Sequence, residues 1–177
     1  MGVYLLNLLT VLKLYQTSDK SPPVWIWPIL ILSKRIHSIF ILRMFNDCIA
    51  VWIGYIAILC FMKYNWRIGC ILYSLSVSVK MNMLLYAPGL LLVLLISCGI
   101  HETIICLTIC AVIQVIVGYP FLSTHPVSYI SRSFDLGREF LYEWTVNFKC
   151  VPESVFTHKL FSIALLLATI IGMCIYE

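Results

Sequence analysis

The stretch that decides the fold is Met83-Leu-Leu-Tyr-Ala-Pro-Gly-Leu-Leu-Leu-Val-Leu-Leu-Ile-Ser-Cys98, an apolar run without a charged residue. A second uncharged run, Thr103–Leu122, follows it closely in the sequence. Runs of this composition are typical of helices that lie in a lipid bilayer. Comparable runs recur along the whole chain: Gly2–Tyr15, Val24–Leu42, Cys48–Met62, Ile68–Val79 and Leu160–Tyr176.

The overall composition indicates membrane helices for the complete sequence as well. Of its 177 residues, 62% are hydrophobic and 11% are charged, and the mean hydropathy is +0.98. A soluble domain of this size cannot bury so much apolar surface, so the sequence predicts an all-α polytopic membrane protein that crosses the bilayer six or seven times. The net charge of +4 comes from scattered Lys and Arg residues, and we therefore expect no nucleic-acid partner.

Several of the apolar runs are shorter than the roughly 20 residues of a full membrane span. Short runs that are separated by a few polar residues predict helices broken at membrane depth, around a cavity within the bilayer. If each run crosses, the two sides of the membrane receive different polar segments. One side receives Arg43–Asp47, Lys80–Asn82 and residues 123–152. The other side receives Gln16–Pro23, Lys63–Arg67 and Gly99–Glu102. Lys and Arg are balanced between the two sides, so charge does not set the orientation.

The segment Ser128–Phe148 interleaves charged and aromatic residues. At 100° per residue on a helix, the apolar side chains from Phe134 to Val151, just beyond this segment, form a one-sided stripe. Ser133 is predicted to cap the start of this helix, and Pro152 to stop it. The pattern predicts an amphipathic helix at a membrane surface, and a solvated charged face is the simpler account of its polar side.

Seven of the eight cysteines lie in or beside apolar runs without metal-ligand spacing, and they are expected to pack as small hydrophobic residues. Cys150 lies in the polar loop. The four histidines are too dispersed to suggest a ligand set, so we expect no metal site.

Two charged segments interrupt the apolar runs. On a helix, Arg43 comes within one turn of Asn46 and Asp47, and its planar guanidinium matches an anionic phosphate well. The alternatives are a structural Arg43–Asp47 pair, or an Arg43 side chain that extends to the membrane interface. Lys80, near Asn82, can neutralise a lipid phosphate from the same side as Arg43, or it can extend to the membrane interface.

Three strings resemble one family: His37–Asp47, Ser76–Gly89 and Tyr129–Asn147. They are similar to the dolichyl-phosphate-mannose-dependent alpha-1,3-mannosyltransferases of the N-glycan precursor pathway. The resemblance implies a GT-C-type transmembrane bundle in the endoplasmic reticulum membrane, with residues 123–152 forming a luminal amphipathic loop. It also implies transfer of mannose, with inversion, from dolichyl-phosphate mannose to a dolichyl-diphosphate-linked pentamannosyl oligosaccharide.

The resemblance implies roles for individual side chains. Arg43 and Lys80 are candidates for binding the donor phosphate, and no metal or other cofactor is expected. The candidates for substrate binding are His37, Asn46, Asp47, Asn82, Arg132, Asp135, Arg138 and Trp144. The proton-accepting carboxylate is expected in an acidic luminal motif upstream of this sequence, so no catalytic base is assigned.

We therefore expect residues 1–177 to form one transmembrane glycosyltransferase domain that is incomplete at both ends, and to be inactive alone. The expected partners are the two lipid-linked sugars and membrane lipids. Two other functions stay open at this point. A small transporter would also have broken helices and intramembrane charges, and a non-catalytic assembly subunit would also lack the acidic motif.

Overall fold

A computed structural model describes residues 2–18, 22–32, 46–133 and 150–175 of the protein. Within these ranges every regular element is a helix. The helices are α1 (Gly2–Thr17), α2 (Ile26–Ile31), α3 (Asp47–Met62), α4 (Trp66–Val79), a 3₁₀ helix (Met81–Tyr86), α5 (Ala87–Thr124), α6 (Pro126–Ser133), α7 (Glu153–Phe156) and α8 (Lys159–Ile175). The all-helical prediction is thus confirmed for the described residues.

The helices follow the apolar runs closely. The run Cys48–Met62 becomes α3, and the run Ile68–Val79 becomes α4, each within two residues. Of the described residues, Met81–Thr124 is the one helical stretch that is long and apolar enough to cross a membrane. The described residues are therefore all-helical with one helix of membrane-spanning length, in agreement with the composition of a membrane protein.

The chain forms two compact units, Met1–Thr124 and His125–Glu177. In the first unit, α4 packs between α3 and α5, and α1 packs on the other side of α3. The rings of Tyr15 and Trp27 meet edge to face with centroids 5.6 Å apart, which joins α1 to α2. In the second unit, α7 packs against the start of α8.

Small side chains allow α3, α4 and α5 to approach closely. Gly69 of α4 lies directly against the ring of Phe61, where a Cβ atom would clash. Cys70, Leu94 and Cys106 form a fully buried cluster. The expectation that these cysteines pack as small hydrophobic residues is confirmed. Interfaces between membrane helices depend on this kind of close backbone approach.

The turn between α3 and α4 ends one helix and reverses the chain. Tyr64 adopts a left-handed conformation with φ 59°. The backbone N–H of Asn65 donates to the Cys60 carbonyl over 2.9 Å, which satisfies one of the last carbonyls of α3. The polar segment Lys63–Arg67 therefore contains a tight connection between two apolar helices, as its position between the runs predicts.

The long helix α5 breaks at Gly99, where φ is 76° and ψ is 174°. Before the break, the Tyr73 hydroxyl bonds Met83 and Leu94 packs with Cys70, so residues 87–98 run antiparallel to α4. After the break, the residue numbers of contacting pairs increase along both helices, from Arg67 with Glu102 to Ser78 with Gln114. Residues 100–124 therefore run parallel to α4, and the chain reverses direction at Gly99.

This reversal fits the predicted interruption between the runs Met83–Cys98 and Thr103–Leu122. At 1.5 Å per residue, residues 87–98 extend over about 18 Å and residues 100–124 over about 37 Å. Since the hydrocarbon core of a bilayer is about 30 Å thick, the second segment is long enough to cross it and the first is not.

Helix α6 corrects one prediction. The sequence predicts Ser133 as the cap of a helix that starts there, but Ser133 is the last residue of a helix that begins at Pro126. Its hydroxyl donates to the Tyr129 carbonyl over 2.7 Å. Proline has no backbone N–H and suits the first helical position. The predicted amphipathic stripe from Phe134 onward lies outside the described residues, apart from Val151.

Candidate membrane-edge charge site

Lys80 and Asp47 form an ion pair at one end of the packed α3–α4–α5 helices. The Lys80 ammonium donates a hydrogen bond to Oδ1 of Asp47. The two residues are 33 positions apart in the sequence, and their side chains are 34% and 22% exposed. The pair thus joins the start of α3 to the residue that ends α4.

Both partners occupy helix ends, which decides where their side chains lie. Asp47 is the first residue of α3, where the positive end of the helix dipole favours an anion. Lys80 has left the helix, with φ −151° and ψ 121°, although its N–H still donates to the Ser76 carbonyl over 3.1 Å. One turn further in, the buried Ser76 hydroxyl donates to the Ala50 carbonyl over 2.6 Å and joins α3 to α4.

The 3₁₀ helix that follows Lys80 is anchored to the same two helices. The Tyr73 hydroxyl donates to the Met83 carbonyl over 2.9 Å. The Met83 side chain fills the space beside Gly54, where a Cβ atom would lie 2.5 Å from its terminal methyl. Contacts with α3 and α4 therefore hold the backbone on both sides of Lys80.

The energetics of this location require the two charges to be paired. A charged side chain inside the bilayer costs about 2.5 kcal/mol or more, and less where it reaches water. Each charge here lies at the edge of an apolar helix and offsets the cost of the other. A partly exposed ammonium beside a carboxylate forms a site that an anionic group can approach from the solvent side.

The structure brings together two of the residues that the sequence placed on one side of the membrane. Asn46, next to Asp47, and Asn82, two residues after Lys80, are both exposed. Arg132 is exposed on α6 in the second unit. The remaining predicted site residues lie outside the described residues: His37, Arg43, Asp135, Arg138 and Trp144.

A polar network between α4 and α5 was not predicted. The Gln114 side-chain amide donates to the Ser74 carbonyl over 2.7 Å and lies 3.0 and 3.1 Å from the hydroxyls of Ser74 and Ser78. The Ser74 hydroxyl itself donates to the Cys110 carbonyl over 2.9 Å. The sequence features that indicate such a network are a glutamine in an apolar run and two serines spaced by one helical turn.

A second ion pair lies at the opposite end of α4. The Arg67 guanidinium donates to both carboxylate oxygens of Glu102, over 2.9 and 3.2 Å. The two side chains are 60% and 39% exposed. Because exposed pairs of this kind contribute about 0–1 kcal/mol, this contact is explained as a surface link between α4 and α5.

No group of three or more His, Cys, Asp or Glu side chains among the described residues is placed to hold a metal ion. In the same part of the chain Cys48, Cys70 and Cys106 are buried as free thiols, and Cys150 is exposed.

Apolar helices with charges at their ends are typical of membrane proteins. Comparison with known sequences identifies the family of this chain. The chain belongs to the ALG3 protein family, whose family model matches residues 1–177.

Three relatives illustrate the similarity. A Mus musculus protein named Dol-P-Man:Man(5)GlcNAc(2)-PP-Dol alpha-1,3-mannosyltransferase is 47% identical over 166 residues, which is 94% of this chain and 38% of that protein. The proteins of the same name from Arabidopsis thaliana and Homo sapiens are 49% and 47% identical, with the same coverage. The chain thus spans about two fifths of the length of these relatives. No solved structure gives a significant match.

Proposed function

We propose that this chain forms part of an enzyme that transfers mannose in alpha-1,3 linkage from dolichyl-phosphate mannose to the dolichyl-diphosphate-linked pentamannosyl oligosaccharide. The observation that carries the proposal is the 47% identity to the mouse transferase over 94% of this chain. The same identity favours a transferase over a transporter. Its substrates are the two lipid-linked sugars that the names of the relatives describe.

The Asp47–Lys80 pair suits this chemistry. When mannose leaves dolichyl phosphate, negative charge develops on the phosphate, and a positioned cation stabilises it. Lys80, together with Arg43, supplies that cation in this proposal. A carboxylate outside this chain accepts the proton of the attacking sugar hydroxyl. The residues that bind the sugars in this proposal are among those that the family resemblance implies: His37, Asn46, Asn82, Arg132, Asp135, Arg138 and Trp144. Asp47, which the resemblance also implies, is paired with Lys80.

The proposed architecture is a GT-C-type bundle that crosses the endoplasmic reticulum membrane several times. The short apolar helices α3 and α4 and the reversal at Gly99 support broken helices around a polar site. In this arrangement Asp47, Lys80 and the amphipathic segment 123–152 lie on the luminal side, and the turn at Lys63–Arg67 lies on the cytosolic side.

The proposal is tested with a chimera in which this chain replaces the matching segment of the human relative. Microsomes are prepared from cells that lack their own enzyme, and extension of the pentamannosyl lipid to the hexamannosyl lipid is measured. We expect extension by the chimera and none by residues 1–177 alone. A chimera that is inserted and folded but does not extend the acceptor contradicts the proposal. Co-purification of the chain with a complete transferase, without an effect on transfer, favours an assembly subunit instead.

The orientation has its own test. Asn82→Cys and Tyr64→Cys are made in a version of the chimera whose native cysteines are replaced, since both positions are exposed. A membrane-impermeant thiol reagent is applied to sealed microsomes before and after the lumen is opened. We expect the Tyr64→Cys variant to react at once, and the Asn82→Cys variant to react only after opening. The reverse order contradicts a luminal Lys80.

A further inference from the structure

A partly buried ion pair such as Asp47–Lys80 adds little net stability, although it restricts how α3 and α4 pack. Removing two charges from water is costly, and their attraction recovers that cost only in part. Two apolar side chains of similar volume often stabilise a protein equally well at such a position. The bond between these partly buried charges therefore points to a role in function.

Hydrogen bonds hold the backbone around Lys80 from two directions, and Asp47 holds its ammonium. The backbone around Lys80 is held by Ser76 on one side and, through Met83, by Tyr73 on the other. The four-carbon stem of lysine is flexible, however, so a fixed backbone does not by itself fix the charge. The Asp47 carboxylate, anchored in the first turn of α3, restrains the end of that stem.

We propose that Asp47 is a positioning residue that acts through Lys80. Its carboxylate holds the Lys80 ammonium at the place where the phosphate of the lipid-linked donor binds, and it makes no contact of its own with either substrate. This inference rests on the proposed function, and it replaces substrate binding as the role of Asp47. Asp47 therefore affects catalysis only while the Lys80 charge is present.

The physical basis is preorganisation of charge. A cation that is already in place stabilises developing negative charge without moving during the reaction, whereas a mobile cation has to be ordered first. A misplacement of about 1 Å in such an arrangement can lower the rate about 100-fold. Loss of Asp47 leaves the Lys80 charge in the protein but removes the contact that orders it.

The experiment measures donor kinetics in the chimera for three variants: Asp47→Asn, Lys80→Met and the double variant. The single substitutions preserve side-chain size. We expect Asp47→Asn to lower kcat/KM for dolichyl-phosphate mannose about 10- to 100-fold, with the KM for the acceptor unchanged. Lys80→Met lowers it at least as much, and the double variant equals Lys80→Met, because Asp47 has nothing left to position. Asp47→Glu, which keeps the charge, recovers part of the activity.

Glu102→Gln is the matched control, because it breaks the ion pair at the other end of α4. It keeps wild-type donor kinetics if only the Asp47–Lys80 pair serves the donor. Thermal unfolding of each variant separates kinetic losses from losses of folded protein. If the effects of the two single substitutions multiply in the double variant, or if Asp47→Asn raises the acceptor KM, Asp47 has a separate role and the inference is overturned.

Failure of the proposed function gives a different result. In that case the unsubstituted chimera transfers no mannose at all, before any variant is compared. Binding of dolichyl phosphate to the purified chimera, measured by the shift in unfolding temperature, then decides the inference on its own. A shift that Asp47→Asn and Lys80→Met both reduce, and that Glu102→Gln leaves unchanged, supports Asp47 as the residue that positions Lys80. An equal shift in all variants overturns it.

Discussion

Replacing Gly99 with alanine isolates the energy of one backbone conformation. Gly99 has φ 76° and ψ 174°, a region that is accessible essentially only to glycine. A Cβ atom at this position would meet nothing within 4 Å, so the substitution creates no clash. Its cost is backbone strain alone, about 1–3 kcal/mol.

Gly89 and Gly172 provide matched controls. A Cβ atom would meet nothing within 4 Å at either position, and both residues lie in helices without a positive φ. Alanine favours a helix over glycine by about 0.5–1 kcal/mol, so these substitutions stabilise the protein. Gly99→Ala and either control should therefore differ in unfolding free energy by roughly 1.5–4 kcal/mol.

The assay is denaturant or thermal unfolding of the detergent-purified protein, with all three variants measured in one detergent. Gly99→Ala is expected to lower the unfolding free energy, and Gly89→Ala and Gly172→Ala to raise it. If Gly99→Ala stabilises the protein as the controls do, the helix is continuous at residue 99. The reversal of α5 would then be wrong.

Two further substitutions test the contacts between helices. Gln114→Leu removes the amide that bonds Ser74 and Ser78, and we expect it to lower the unfolding free energy by about 1 kcal/mol, because hydrogen bonds between membrane helices average about 0.6 kcal/mol each. Ser76→Ala removes the bond to the Ala50 carbonyl and should lower it by about 0.5–1.5 kcal/mol. Thr108→Val is the control for both in the same unfolding assay, because the exposed Thr108 hydroxyl bonds only a carbonyl of its own helix. Equal losses of unfolding free energy in all three variants would contradict the role of Gln114 and Ser76 in joining the helices.

Hydrophobic length was sufficient to predict where the apolar helices α3 and α4 lie. The runs Cys48–Met62 and Ile68–Val79 match α3 and α4, and the turn between them lies in the polar segment Lys63–Arg67. The break near Gly99 was also predicted from the interruption between two apolar runs. These features are local, because a short run of side chains decides whether a segment favours lipid.

Contacts between distant segments were not predictable from the sequence. Helical spacing offered Arg43 as a partner for Asp47, since it considers only residues within one turn. The structure pairs Asp47 with Lys80, which requires α3 and α4 to pack with their charged ends level. The Gln114 network depends on helix packing in the same way. The error at Ser133 has a different cause, because serine and threonine in a helix can bond the carbonyl one turn before them instead of capping.

Polar contacts also fix the register of α4 against its neighbours. In lipid, apolar side chains alone do not drive helices together, so hydrogen bonds and close packing decide how far one helix slides along another. Ser76 and Lys80 bond α3, whereas Arg67 and Ser74 bond α5. A shift of α4 along either neighbour breaks several of these contacts together. The pairing of Lys80 with Asp47 therefore depends on the register of α4 against α3, which the Ser76 hydrogen bond one turn away also fixes.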